Sequence, residues 1–328
     1  MNASRATHAR RIDGVATLFS ALAAALQWRL LLCWLIALAL PAAIAALPVW
    51  TTLQATFAQS PHTAAIAAGH NLPLAIDGLF AMADGHVGLA SGSVAAIALT
   101  LLLSPWLTGM VVASIRAGRR LRIGELAHGG LAEYGRMLRM LLWSVVPLGI
   151  ALALGGALSG ALDKHTAGAI FAVDAARATD IALAVLIVLA VFAHITLEAG
   201  RGWFAADVAA TSVLRAWGKG VTLVLRRPLA ALLVYLGSAV ICYGLALLVA
   251  WLRLRTGTAS GGGFAFGLLL TQVSVVLIAW ARIARIYGYA ALARDAIAIR
   301  PVRASIAAAP TVAAGQPMPL SPATSTAL

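Results

Sequence analysis

Long apolar runs recur along this chain, and each is bordered by a connector whose charges are mostly arginine. The plan is clearest at residues 181–197. That run is followed by a basic stretch from Arg201 through Trp217-Gly218-Lys219 to Arg226-Arg227-Pro228, and then by another apolar run. A helix that crosses about 30 Å of hydrocarbon needs roughly 20 apolar residues. In lipid its backbone polar groups must be satisfied within the segment, which a helix does. Six runs meet this description, at residues 30–50, 94–115, 140–161, 181–197, 229–252 and 264–287. The expected fold is an all-α integral membrane protein, a six-helix bundle with short interfacial amphipathic helices. Composition agrees. The chain is 62% hydrophobic and 11% charged, whereas soluble domains carry about 25% charged residues.

The sequence divides into a basic head (1–28), a six-span membrane domain (29–290) and a tail (291–328). The tail becomes Ala-, Pro-, Ser- and Thr-rich and is expected to be disordered from about Ala304. Within the head, residues 15–27 are apolar enough to lie along the membrane surface as a helix. The first run is too long for the core of a signal peptide, roughly 7–15 residues, and reads as an uncleaved anchor.

The formal net charge is +13. A basic chain can signal nucleic-acid binding, but here the arginines flank apolar runs, where membrane topology uses them. No nucleic-acid partner is expected. With six spans, 20 of the 24 basic residues fall on one side. The four on the other side are Lys164, Arg177, Arg253 and Arg255. Basic residues favour the cytoplasmic side, so both termini are expected there, in a bacterial inner membrane. Residues 51–93 hold no Lys or Arg, as suits the outer side. There, Asn71-Leu72-Pro73 reads as the start of a short amphipathic helix. The nearby His62, His70, His86, Asp77 and Asp84 match no compact metal-ligand spacing.

Both cysteines, Cys33 and Cys242, fall in apolar runs at different expected depths and should be free thiols. In the third run, Gly149, Ala153, Gly156 and Gly160 form a small-residue stripe. It is expected to pack against the protein's own helices.

The two large basic connectors share a local pattern. One reads Leu131-Ala-Glu-Tyr134-Gly135-Arg136 and the other Leu214-Arg-Ala-Trp217-Gly218-Lys219. Arg285-Ile-Tyr287-Gly288 repeats part of it. An aromatic ring beside a cation suits the headgroup zone, so Tyr134, Arg136, Trp217 and Lys219 are candidate interfacial anchors, with anionic lipid headgroups as expected partners. The stretch from Ala209 through Trp217 to Pro228, leading into a span, resembles a pattern in bacterial six-span inner-membrane proteins. These are related to the membrane domain that precedes some glycerophosphoryl diester phosphodiesterases. The resemblance implies the six-span layout over roughly residues 15–295. No counterpart of the soluble phosphodiesterase domain is present in the sequence, so that activity does not carry over.

No catalytic constellation, nucleotide-binding loop or zinc-type cluster is legible, and neither enzyme activity nor a cofactor is expected. His194 and Glu198 share a helical face at i, i+4. They read either as a proton-responsive pair or as an interfacial pair in contact with water and headgroups. Gln272, with Thr271 and Ser274, reads as helix-to-helix glue or as part of a solute site. Arg282 and Arg285 are expected to reach the headgroups from the end of the last span. The leading expectation for function is a non-enzymatic membrane protein acting by association with lipid or a protein partner. The alternative is a small-solute permease with a cavity near His194, Glu198 and Gln272. Polar lining from several spans would favour the permease, and a dry centre would favour association.

Overall fold

Alanine and leucine dominate the apolar runs, and these residues lose little side-chain freedom in a helix. The computed structural model describes residues 13–57, 86–166, 172–256 and 260–308, with Pro73 and Ile76. Among them there is no strand, and the fold is an all-α bundle. In chain order the helices are α1 (Gly14–Ala25), α2 (Trp28–Phe57), α3 (His86–Ala117), α4 (Ile123–Thr166), α5 (Ala172–Ala206), α6 (Val213–Arg226) and α7 (Pro228–Leu232). One π-helical turn (Leu233–Gly237) then leads into α8 (Ser238–Arg255), and α9 (Gly261–Ala308) ends the series. Six helices are long and apolar enough to cross a membrane: α2, α3, α4, α5, the α7–α8 unit and α9.

Local chemistry sets the breaks between helices. Asp13 caps α1 by accepting the Val15 N–H at 3.2 Å. Gly118 ends α3 with φ 64°, a left-handed conformation that glycine adopts without a Cβ penalty. Ser212 caps α6 by accepting the Arg215 N–H at 3.4 Å. Arg227 leaves the helical region at φ −138°, ψ 58°, because the following Pro228 disfavours it there.

Several expected boundaries shift. The first basic connector is not a separate helix: α4 is continuous for 44 residues from Ile123. The second connector does form its own helix, α6. The last span does not stop near residue 287. Helix α9 runs 48 residues to Ala308, so positions 304–308, assigned to a disordered tail from composition, are helical. The helix expected after Asn71, Pro73 and Ile76 aside, lies outside the described residues, as do His62, His70, Asp77 and Asp84.

The bundle has a dense end and an open end. At the end carrying the basic connectors, Leu18, Leu30, Trp34, Leu107, Met110, Met140, Phe204, Ile283 and Ile286 share one buried cluster. A second cluster joins Ile195, Trp203, Leu223, Val234, Tyr289 and Leu292. Helix α1 does not merely lie on a surface. Its Leu22 carbonyl accepts the Trp280 indole N–H at 2.9 Å, and Leu18 and Leu22 enter the core. Gln27, Ser114 and Tyr287 close a hydrogen-bonded triangle with sides of 2.8, 2.8 and 3.1 Å.

Close backbone approach drives this packing. A Cβ on Gly202 would lie 2.7 Å from the Tyr289 carbonyl carbon, and one on Gly220 would lie 2.6 Å from the Gly200 nitrogen. Toward the far end the helices separate into pairs. Gly92 meets Pro48, Gly155 meets Leu186 and Gly267 meets Arg253, which couples α2 with α3, α4 with α5, and α8 with α9. Large apolar side chains such as Leu47, Leu101, Leu152, Val188, Leu247 and Phe266 are exposed there. The small-residue stripe is corrected: a Cβ added at Gly149, Gly156 or Gly160 would meet nothing within 4 Å. The contact falls instead on Gly155. Cys33 and Cys242 are both free.

Candidate functional site

Between the two ends, five of the long helical units surround a cavity of about 440 Å³. Helix α2 supplies Trp34 and Leu38, α3 supplies Thr100, Ser104 and Leu107, and α5 supplies His194 and Glu198. The π turn and α8 supply Tyr235, Ala239 and Tyr243, and α9 supplies Ile278, Ala279, Arg282 and Arg285.

The anionic centre is Glu198, 1% exposed. Its Oε1 accepts an Arg201 N–H at 2.6 Å, one turn further along α5. The same oxygen lies 3.9 Å from His194 Nε2. On its other side, His194 Nδ1 is 2.9 Å from the Tyr235 hydroxyl. A neutral imidazole carries one donor and one acceptor. At 3.9 Å the contact with Glu198 is electrostatic, and the direction of the Tyr235 hydrogen bond depends on which ring nitrogen carries the proton. The π turn matters here, because it inserts an extra residue per turn where Tyr235 must reach His194. Such bulges in α-helices recur at functional sites.

The cationic wall belongs to α9. Arg282 and Arg285 are three residues apart and so share a face. Arg282 Nη2 donates to Ser104 Oγ at 3.1 Å, and its guanidinium stands 5.7 Å from the Trp34 ring centroid. Arg285 Nη2 donates to the Tyr243 hydroxyl at 3.0 Å and lies 5.0 Å from the Tyr235 ring. Arg285 is 5% exposed. Glu198 Oε2, Arg282 Nε and Arg285 Nε are buried without a protein hydrogen-bond partner. The site therefore gathers three arginines around one carboxylate, with polar valences left over.

Glu198 lies inside the bundle, whereas the His194 side chain beside it is 38% exposed. Gln272 is not part of the site. It lies ten residues before Arg282 on α9, about 15 Å along the axis, and it does not line the cavity. Beside it, Ser274 donates to the Ala246 carbonyl at 3.5 Å and Thr271 bonds within α9.

Arg282 and Arg285 depart most from expectation. They do not reach past the end of a span, because α9 continues beyond them through buried Ile286, Tyr289, Leu292 and Ala293. That apolar and aromatic continuation was the available sequence signal. Tyr235, Tyr243, Ser104 and Trp34 carried no comparable signal, because they come from helices far apart in the chain.

The four candidate anchors lie at the dense end and are tied into the protein. The Tyr134 hydroxyl donates to the Leu102 carbonyl of α3 at 3.1 Å. The Trp217 indole N–H donates to Thr196 Oγ1 of α5 at 3.2 Å, and its ring meets Trp143 edge-on with centroids 5.6 Å apart. Each aromatic thus docks its connector onto the preceding long helix. Arg136 pairs with Glu133 at 3.4 Å. Lys219 pairs with Asp207 at 3.4 Å and stands 5.2 Å from the Trp203 ring. Arg116 pairs with Glu133 and also donates to the Phe204 carbonyl at 2.5 Å, joining α3, α4 and α5. Arg227 pairs with Asp295 at 2.5 Å across the helix break.

Comparison of the chain with protein-family models, curated proteins and solved structures finds no match. The class defined by fold and site is a multi-pass helical membrane protein with a charged cavity inside its bundle.

Proposed function

We propose that this chain is a permease-type protein of a bacterial inner membrane that admits a small anionic solute into its bundle. The observation that carries the reading is the cavity of about 440 Å³, lined by polar groups from five long helical units and holding Arg282 and Arg285 beside Glu198. Ionisable groups inside a membrane domain are costly and mark solute or ion paths. The arginine distribution supports a cytoplasmic location for both termini.

Transport is tested in vesicles reconstituted with the protein and preloaded with a panel of radiolabelled mono- and dicarboxylates, sugar phosphates and alkyl phosphates. At least one member should leave faster than from protein-free vesicles, and Arg282→Gln should remove that excess. Equal release of every member would return the reading to association. Orientation is tested separately. A cysteine placed at Arg215 should resist an impermeant maleimide in intact cells, and one at Lys164 should react.

Association with anionic lipid is the second reading. It is favoured by a cavity of about 460 Å³ at the dense end, where Arg119, Arg120 and Arg294 converge near Gln27 and Tyr287. Basic pockets between membrane helices on the cytoplasmic side suit acidic headgroups.

A further inference from the structure

The cavity also carries information about which anion it takes. The geometry points to a phosphate monoester with an apolar body, its phosphate held between Arg282 and Arg285 and its body lying toward Leu38 and Ile278. This inference rests on the proposed solute site.

Charge balance is the first argument. Arg201, Arg282 and Arg285 surround a single carboxylate, Glu198, and Arg201 already engages it. The other carboxylates paired at the dense end, Glu133, Asp207 and Asp295, have their own cations. With His194 neutral, the site has two positive charges in excess. Burying unpaired charge is expensive, and a phosphate monoester carries nearly two negative charges at neutral pH.

Geometry is the second argument. Arg282 and Arg285 stand three residues apart on one helix face, so their planar forks can converge on one group, which suits phosphate oxygens. Each keeps a buried Nε without a protein partner. The hydroxyls of Ser104 and Tyr243 already orient the two forks.

The rim is the third argument. Thr100, Tyr243 and Ile278 line the cavity and are exposed, and all three fall within long apolar helices. Thr100 is eight residues inside the span that begins at Gly92, about 12 Å along the helix. The mouth therefore opens among apolar side chains at hydrocarbon depth. An ion without an apolar part would meet an unfavourable surface there, while an alkyl body would be at home.

Two sources share this chemistry, a phosphate-monoester lipid headgroup and a water-soluble organic phosphate. The test uses the full chain in zwitterionic phosphatidylcholine nanodiscs and measures saturable binding of radiolabelled octyl phosphate. Binding should be displaced by unlabelled octyl phosphate. Octanol should not displace it, and inorganic phosphate should require at least about tenfold more. Arg282→Gln should weaken binding about tenfold or more, as expected for losing one charge-assisted contact in a buried site. If that variant does not fold, Arg282→Lys decides, because it keeps the charge but not the fork and must still weaken binding. Ile278→Asn should weaken octyl phosphate and leave inorganic phosphate unchanged.

Absence of saturable binding, equal displacement by octanol, better displacement by succinate, or unchanged binding in the folded Arg282 variant would each overturn the inference. Dioctanoyl phosphatidic acid displacing more strongly than octyl phosphate assigns a lipid source, and weaker displacement assigns a soluble one. Both support the site. Binding without flux of any anion would keep the ligand class and remove the permease reading. Flux of another anion without octyl phosphate binding would do the reverse.

Discussion

The two ends of the bundle are built from the same apolar alphabet, yet one is packed and the other is open. At the dense end, glycines admit backbone to backbone: Gly202 meets Tyr289 and Ala290, and Gly220 meets Gly200. Trp217, Trp280 and Arg116 fill part of the remaining space and find hydrogen-bond partners. At the open end, α2 with α3, α4 with α5, and α8 with α9 touch as pairs, while their outward faces carry leucine, valine and phenylalanine in the open. In lipid there is no hydrophobic drive between helices, so association depends on close packing and polar contacts. The dense end has both. The charged cavity lies between the two regimes, with Thr100, Tyr243 and Ile278 at its exposed rim.

Removing the anion that the cationic wall surrounds should break the dense end most severely. Glu198→Ala leaves Arg201, Arg282 and Arg285 without their carboxylate and should cost about 3–5 kcal/mol. It would be read as loss of monodisperse protein in detergent at temperatures the parent survives. A parent-like elution profile and melting temperature would show that another anion already balances the site.

Next in size is the glycine contrast. Gly202→Ala drives a methyl group to within 2.7 Å of the Tyr289 backbone and should cost about 1–3 kcal/mol through overpacking. Gly156→Ala meets nothing and should stabilise by about 0.5–1 kcal/mol through helix propensity. Thermal denaturation of both in one detergent checks the sign of each. If Gly156→Ala proved as harmful as Gly202→Ala, the open end would be an interface.

The connector contacts come third. Trp217→Phe keeps an aromatic ring but loses the bond to Thr196 and part of the indole packing on Trp143, a loss of about 1–2 kcal/mol. Leu214→Ala, at an exposed position, should fall within about 0.5 kcal/mol of the parent. The smallest effect is chemical. Cys242 is buried and Cys33 half-buried, so a small maleimide should label Cys33 first in the folded protein and both only after denaturation.

Helix count and type were legible because an apolar run of spanning length has few other structures open to it. The His194–Glu198 pair was legible because it is a local i, i+4 relation. Gln272 was misplaced for the opposite reason. Its relation to the pair is not local, and its depth puts it about 15 Å along α9 from Arg282, outside the cavity lining. Arg282 and Arg285 were read as the end of a span because hydropathy falls at charged residues. Only the packing of Ile286 and Tyr289 beyond them shows that the helix and its burial continue. The aromatic–Gly–base repeat was visible in the connectors, but its role was not. An aromatic beside a cation suits a headgroup zone as well as it suits a hydrogen bond to the preceding helix, and Trp217 and Tyr134 make the latter.

What the sequence by itself determined is the all-α fold, the six long helices and the segregation of arginine to one end, since each follows from local composition and from the need to satisfy a backbone in lipid. Only the tertiary structure decided that three of those arginines turn inward around a single glutamate. Arg201 meets Glu198 locally, at i, i+3 on α5, but Ser104 on α3 and Tyr243 on α8, the partners of Arg282 and Arg285, are distant in the chain, and nothing local specifies which helices come together.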